Sequence, residues 1–169
     1  MLRLLDGLYR LCGVLAALSL VAICGLVLGQ VIGRFAGFMV LSANEMAGYL
    51  VLASTFLALA PALRHGAHIR VRLVLERFPA PLQRVCEIGA LLLAIGLAGY
   101  ATWWAIDLVR DSIAFGEVSP GRLSIPLAIP QSAMAFGLGA FVIALVHCLG
   151  ELLLGHAPAY DRGTGLMED

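Results

Sequence analysis

The side chains that could carry out chemistry are few in this sequence, and they lie scattered among apolar stretches. The cysteines and histidines are Cys12, Cys24, Cys86, Cys148, His65, His68, His147 and His156. No two cysteines have the C-x-x-C spacing of metal or thioredoxin-like sites. A haem between helices needs two facing imidazoles, and His147 is the one histidine within a long apolar stretch. We therefore expect no catalytic residue, no metal site and no cofactor, and thus no enzyme.

Polar groups within the apolar stretches are the next candidates, because such groups are expensive in lipid and commonly functional. They are Gln30, Thr102, Gln131, Ser132 and His147. They include no carboxylate pair that could relay a proton, and no paired, interrupted half-helices of the kind that mark transporter substrate sites. An ion or solute path through this chain alone is not expected.

Four long uncharged windows of the sequence must form the elements that position these polar groups. The windows 11–33, 46–63, 88–106 and 123–150 hold 88 of the 169 residues and contain no Arg, Asp or Glu. A helix needs roughly 20 apolar residues to cross a bilayer. The sequence is 61% hydrophobic and 13% charged, and its longest polar connection, 64–87, is too short for a separate aqueous domain. The sequence predicts an all-α integral membrane protein with four transmembrane helices.

The first window is longer than the 7–15 apolar residues of a signal peptide, so we expect it to be retained as a span. The spans are predicted at about 11–33, 46–63, 84–110 and 125–152, within a single domain over 1–155. A disordered cytoplasmic tail is expected over 156–169.

The ends of the spans can be predicted in more detail. Leucines at helical spacing before Leu11 predict that span 1 begins early. Span 3 is expected to run from about Pro81 to Phe115 and to stop at Gly116. Span 4 should start around 124–126, and Pro130, a turn or so inside it, should bend or locally free the helix.

Arginine distribution predicts the orientation in the membrane. The 11 basic residues are all Arg, and five of them lie in the connection 64–87. Counting alternate segments gives eight against three. Because basic residues are retained on the cytoplasmic side, this connection and both termini are expected inside. The net charge of zero gives no support to nucleic-acid binding.

Two short patterns are candidates for contacts. Gly25, Gly29 and Gly33 recur every four residues, and such small-residue stripes allow close helix approach in lipid, although glycine is common in membrane spans. Asn44 and Glu45 open span 2, where Asn44 can cap the helix and a carboxylate is favoured by the helix dipole. The alternative for Glu45 is a pair with a basic group on another helix.

The connection after span 2 has a distinctive start. Arg64, His65 and Gly66 are followed by alternating basic and aliphatic residues up to Leu75. Arginines interleaved with aliphatic side chains suit a short interfacial segment in the headgroup region, in contact with phospholipid. An ordinary positive-inside loop is the alternative.

These features together resemble the small membrane subunit of tripartite ATP-independent periplasmic (TRAP) transporters, the DctQ-like family. The size, the four spans and the predicted cytoplasmic ends are similar. The residues that carry the resemblance are Asn44, Glu45, Arg64, Gly66, His68, Ile69, Arg70, Val71, Ser119, Ile129 and Pro130. The chain departs from the family pattern at Arg72, where Asp is usual, and at Gln131, where Trp is common.

The resemblance implies a non-catalytic permease subunit in the bacterial inner membrane. Its expected partners are a large, elevator-type permease subunit and a periplasmic solute-binding protein, in sodium-coupled uptake of an organic acid. Glu45, Arg64 and the 68–71 segment are then interface or lipid contacts, together with the glycine stripe and Pro130. Two other classes stay open: a membrane anchor of a redox or other enzyme, and a small self-assembling channel.

Overall fold

The fold is all-helical apart from short turns and one isolated β-bridge in the part that is described. A computed structural model describes residues 2–38, 42–65, 79–121 and 123–154. The helices are α1 (Leu2–Phe35), α2 (Ala43–Arg64), α3 (Ala80–Ala114) and α4 (Ala128–Leu153). Each is long and apolar enough to cross a membrane. The predicted class, an all-α membrane protein with four spanning helices, is confirmed.

Two predicted segments lie outside the described residues. They are most of the interfacial connection between α2 and α3, and the tail from residue 155 onward. The assignment of the two membrane sides stays a prediction.

The four helices form an open layer in the order α1, α2, α4, α3. The main packing interfaces are α1 with α2, α2 with α4, and α4 with α3. The spanning window of α4 is 33% buried, whereas those of α1 and α3 are each 11% buried. The layer therefore has two central helices and two outer ones, and the outer helices present most of their apolar surface to the surroundings.

The helices differ in length. α2 has 22 residues, about 33 Å at 1.5 Å per residue, which is close to the hydrocarbon thickness. α1 and α3 have 34 and 35 residues, about 50 Å each. The outer helices must therefore tilt or extend beyond the hydrocarbon.

Helix α3 agrees with its predicted length, but α4 begins later than predicted. α3 is followed by Phe115 at its C-cap and by Gly116 at φ +63°, a conformation that glycine adopts without strain. Before α4, Val118 and Pro126 form an antiparallel bridge. This loop uses residues that were assigned to span 4.

The prediction that Pro130 bends span 4 is wrong. Pro130 is the third residue of α4 and is buried. The first backbone N–H groups of a helix have no partner within the helix, so a proline there removes no hydrogen bond.

The start of α2 also corrects a prediction. The residue before the helix is Ser42, at φ 66°, with no side-chain capping bond. Asn44 is not the cap. Its Oδ1 accepts a hydrogen bond of 3.0 Å from Gln30 Nε2 of α1.

Candidate functional site

The polar side-chain contacts between α2 and the rest of the chain lie at the two ends of this helix. We call Glu45, Tyr49, Ser119 and Gly121 the Glu45 cluster. We call Asp6, Tyr9, Arg64 and His147 the Arg64 cluster. Glu45 and Arg64 are 19 residues apart, which corresponds to about 29 Å along the helix. The two clusters are therefore separated by about the thickness of a hydrocarbon core.

The Glu45 cluster fastens the loop between α3 and α4 onto the start of α2. The half-buried carboxylate of Glu45 accepts hydrogen bonds from the hydroxyls of Ser119 and, at 3.4 Å, Tyr49. Ser119 is buried, and its hydroxyl oxygen also accepts a bond of 3.2 Å from the Gly121 N–H. A Cβ at Gly121 would overlap the Glu45 carboxylate, so a side chain at this position would require Glu45 to move.

The loop that Glu45 contacts is itself held by backbone bonds. Ser119 N–H donates to the Ile125 carbonyl at 2.8 Å, and Leu127 N–H donates to the Glu117 carbonyl at 3.0 Å. At the end of α3, the buried Ser112 hydroxyl donates to Glu117 at 2.8 Å. Glu45 therefore holds an ordered loop against α2, in addition to its favourable place in the first turn of that helix.

The Arg64 cluster joins three helices at the opposite end. Arg64 Nη1 lies 2.8 Å from His147 Nδ1 of α4, and Arg64 Nη2 lies 3.3 Å from Asp6 Oδ1 of α1. The guanidinium also stacks over the Tyr9 ring, with Cζ 5.1 Å from the centroid. Because the Arg64 side chain is 20% exposed, much of this cationic group is engaged within the chain.

A cleft opens beside the Arg64 cluster between α1 and α2. Its volume is about 570 Å³. The residues that line it are Asp6, Tyr9, Arg10, Gly13, Val14, Ala17, Pro61, Arg64 and His65. The cleft thus combines charged groups at one end with small apolar side chains further along α1.

Helices α2 and α4 approach each other closely at Gly137. A Cβ at Gly137 would lie 2.6 Å from the backbone carbonyl group of Phe56. Ala140, Ala144 and Cys148 continue this side of α4 as buried small residues. The stripe that packs within the chain is therefore on α4, and the sequence analysis missed it. The signal was present as small residues spaced three to four apart.

The predicted stripe on α1 is shorter than expected. A Cβ at Gly25 or Gly29 would meet nothing within 4 Å among the described residues. Gly33 is covered, because a Cβ there would lie 3.0 Å from Phe38. The open part of the stripe is therefore Gly25 and Gly29. By helical spacing, Gly25 and Gly29 lie away from Tyr9, Cys12 and Ala16, which are buried in the other half of α1.

The remaining predicted site residues are those of the 68–71 segment and Pro130. His68, Ile69, Arg70 and Val71 lie outside the described residues. Pro130 is buried within the chain, so the expected interface role is not available to it.

Sequence reasoning missed the pairing of Arg64 with Asp6 and His147. Nothing in the spacing indicates it, since the contact with His147 joins residues 83 positions apart.

In the part of the chain that the structure describes, no three His, Cys, Asp or Glu side chains are grouped so that they could hold a metal ion. The four cysteines are not in disulfides. Fold and polar clusters together define a multi-span membrane protein.

Comparison with known sequences identifies the family. The family model described as "Tripartite ATP-independent periplasmic transporters, DctQ component" matches residues 23–155. The chain belongs to this family, as the resemblance in its sequence indicated. The members of the family are described as a component of transporters and not as enzymes.

One curated relative is named isethionate TRAP transporter permease protein DctMQ, from Oleidesulfovibrio alaskensis. It is 26% identical over 106 residues, which are 63% of this chain and 16% of that protein. The chain therefore matches only about a sixth of that relative's length.

Proposed function

We propose that this chain is the small permease subunit of a TRAP-type transporter and acts as a scaffold that docks and stabilises a large permease subunit. The observation that carries this proposal is the alignment with a named permease, in which the matched segment is 16% of the length. In that relative, a segment similar to this chain is part of a much longer polypeptide. We propose that this chain packs against a counterpart of that longer part.

The open layer supports a scaffold. Its central pair, α2 and α4, is packed closely at Gly137, and the two polar clusters fix both ends of α2. The outer helices present large apolar side chains such as Val21, Leu93 and Trp103, each more than 65% exposed. A layer of this kind has two faces and two edges on which another membrane protein can pack.

The contact we propose is the open part of the α1 stripe, Gly25 and Gly29, against a helix of the large subunit. Glu45 and Arg64 then act mainly by holding the layer together. We further propose that the 68–71 segment lies against phospholipid at the cytoplasmic surface, with both termini on that side of a bacterial inner membrane.

The transport process is proposed from the family and the relative's name. Isethionate, named for the relative, is a small organic acid anion, which supports an organic acid as the solute class. The proposal includes delivery by a periplasmic binding protein, an elevator-type motion of the large subunit and coupling to sodium.

Co-purification of the large subunit tests the scaffold. Gly25→Leu with Gly29→Leu should lower its recovery, because bulky side chains would separate the two helices. Gly89→Leu with Gly96→Leu is the matched control on α3, where a Cβ also meets nothing within 4 Å of the described residues. If the control lowers recovery and the α1 variant does not, the docking helix is α3 and the stripe assignment is wrong.

Glu45→Ala separates the two roles of that residue. If Glu45 formed a desolvated charge pair across a subunit interface, its loss would cost about 2–5 kcal/mol of association free energy. Loss of the contact with Ser119 should instead lower the stability of the chain itself. We therefore expect unchanged recovery of the large subunit.

The chain reconstituted alone should show neither ion flux nor uptake of a labelled organic acid, and its visible spectrum should be featureless. Flux by the chain alone would overturn the scaffold proposal in favour of a channel, and a haem or flavin spectrum would favour an enzyme anchor.

A further inference from the structure

We propose that the cleft between α1 and α2 binds an anionic phospholipid. Its phosphate would lie beside Arg10 and Arg64, and one acyl chain would follow Gly13 and Ala17. The inference rests on the charges, the shape and the membrane level of the cleft, and it does not depend on the transporter role.

The charges at the mouth of the cleft favour an anion. Arg64 is paired with Asp6, whose side chain is 59% exposed. Arg10 is exposed and has no ion-pair partner within the described ranges. His65, also at the mouth, is exposed. Among the described residues, the lining of the cleft therefore has two Arg against one Asp, and the sequence continues from α2 into the arginine-rich connection.

The wall of the cleft is apolar beyond these charges. Gly13 and Ala17 lie one turn apart on α1 and have small side chains or none, and Pro61 of α2 faces them. A Cβ at Gly13 would be 3.8 Å from Pro61, which is ordinary contact distance. The helices thus touch at Gly13 without filling the space beside it. A charged mouth that leads into an apolar groove fits an amphiphile better than free phosphate.

The cleft mouth lies at the level where phosphates are found. Gln30 of α1 bonds to Asn44 beside Glu45, so these residues lie at the same level of the layer, which we take as one boundary of the hydrocarbon. Arg10 is 20 residues from Gln30, about 30 Å along α1, and Arg64 lies about 29 Å from Glu45 along α2. Both arginines therefore lie near the other boundary, one hydrocarbon thickness away.

Native mass spectrometry of the full chain in mild detergent tests the proposal. The probes are phosphatidylglycerol and phosphatidylcholine with identical acyl chains. We expect phosphatidylglycerol to be retained preferentially, and Arg10→Gln to weaken its retention about fivefold, the factor that matches about 1 kcal/mol per basic residue near an anionic surface. Arg110→Gln, an exposed arginine on α3, is the control and should leave retention unchanged.

A second pair of variants tests the groove. Ala17→Leu should fill it and reduce retention of phosphatidylglycerol, whereas Ala22→Leu, exposed on the other flank of α1, should not. Millimolar inorganic phosphate should not displace the lipid.

Equal retention of the two lipids would overturn the proposal, and so would equal losses in Arg10→Gln and Arg110→Gln. Displacement by inorganic phosphate would identify a phosphate site instead. Binding of phosphatidylglycerol only after removal of residues 156–169 would assign the cleft to the chain's own tail.

Discussion

Replacement of Gly137 by alanine tests the packing of the two central helices most directly. The added Cβ would lie 2.6 Å from the carbonyl carbon and oxygen of Phe56 and 2.9 Å from the Leu57 nitrogen. These are backbone atoms, so no side chain can rotate away and α2 and α4 must separate. Overpacking of this kind typically costs about 1–3 kcal/mol.

Gly139 provides a matched control on the same helix. A Cβ there would meet nothing within 4 Å among the described residues. Both substitutions gain the same helix propensity, about 1 kcal/mol for alanine over glycine, so the difference between them isolates the clash. We expect Gly137→Ala to be less stable than Gly139→Ala by about 1–3 kcal/mol.

The assay is the free energy of unfolding, measured by titrating dodecyl sulfate into mild-detergent micelles that hold the full chain. Gly139→Ala should be as stable as the unchanged chain or more stable. Equal stability of the two variants would refute the close approach at Gly137, because the clash is the one term in which they differ.

Three further predictions concern the polar contacts. Glu45→Ala should free the α3–α4 loop, because a buried Ser119 hydroxyl that loses its partner costs about 1–3 kcal/mol. Hydrogen exchange at the amides of Ser119 and Gly121 should then become faster. The increase should be smaller in Glu45→Gln, which keeps a hydrogen-bond acceptor. Unaltered exchange in both variants would contradict the role of Glu45 in holding the loop. Arg64→Ala should destabilise the chain more than Asp6→Asn. Asp6→Asn removes only an exposed ion pair, which contributes about 0–1 kcal/mol, whereas Arg64→Ala also removes the His147 contact and the stacking on Tyr9. Unfolding in dodecyl sulfate measures the order of the two variants, and the reverse order would refute this reasoning. Gln30→Leu should cost about 0.6 kcal/mol, the typical value of a hydrogen bond between membrane helices, in the same assay; a loss above 2 kcal/mol would mean that Gln30 has a role beyond its contact with Asn44.

The sequence predicted the helices well because their signal is local. An uncharged window of bilayer length needs no knowledge of its neighbours, and Gly116 marks the end of α3 through its own backbone freedom. The family resemblance likewise depended on short motifs in order. The errors arose where the chain folds back on itself: Asn44 pairs with Gln30 instead of capping α2, and the loop up to Leu127 displaces the start of α4.

The sequence by itself determined that the chain lies in a lipid bilayer, that it has four spans and which family it resembles. The first two follow from residue hydrophobicity summed over windows, and the third follows from the spacing of short motifs. The tertiary structure decided which groups meet. It paired Arg64 with His147 and Asp6, placed Glu45 under the α3–α4 loop, and left Gly25 and Gly29 open while Gly137 was buried. The physical reason is that apolar helices in lipid have no strongly amphipathic face to orient them, so the partner of each face depends on how the helices pack together.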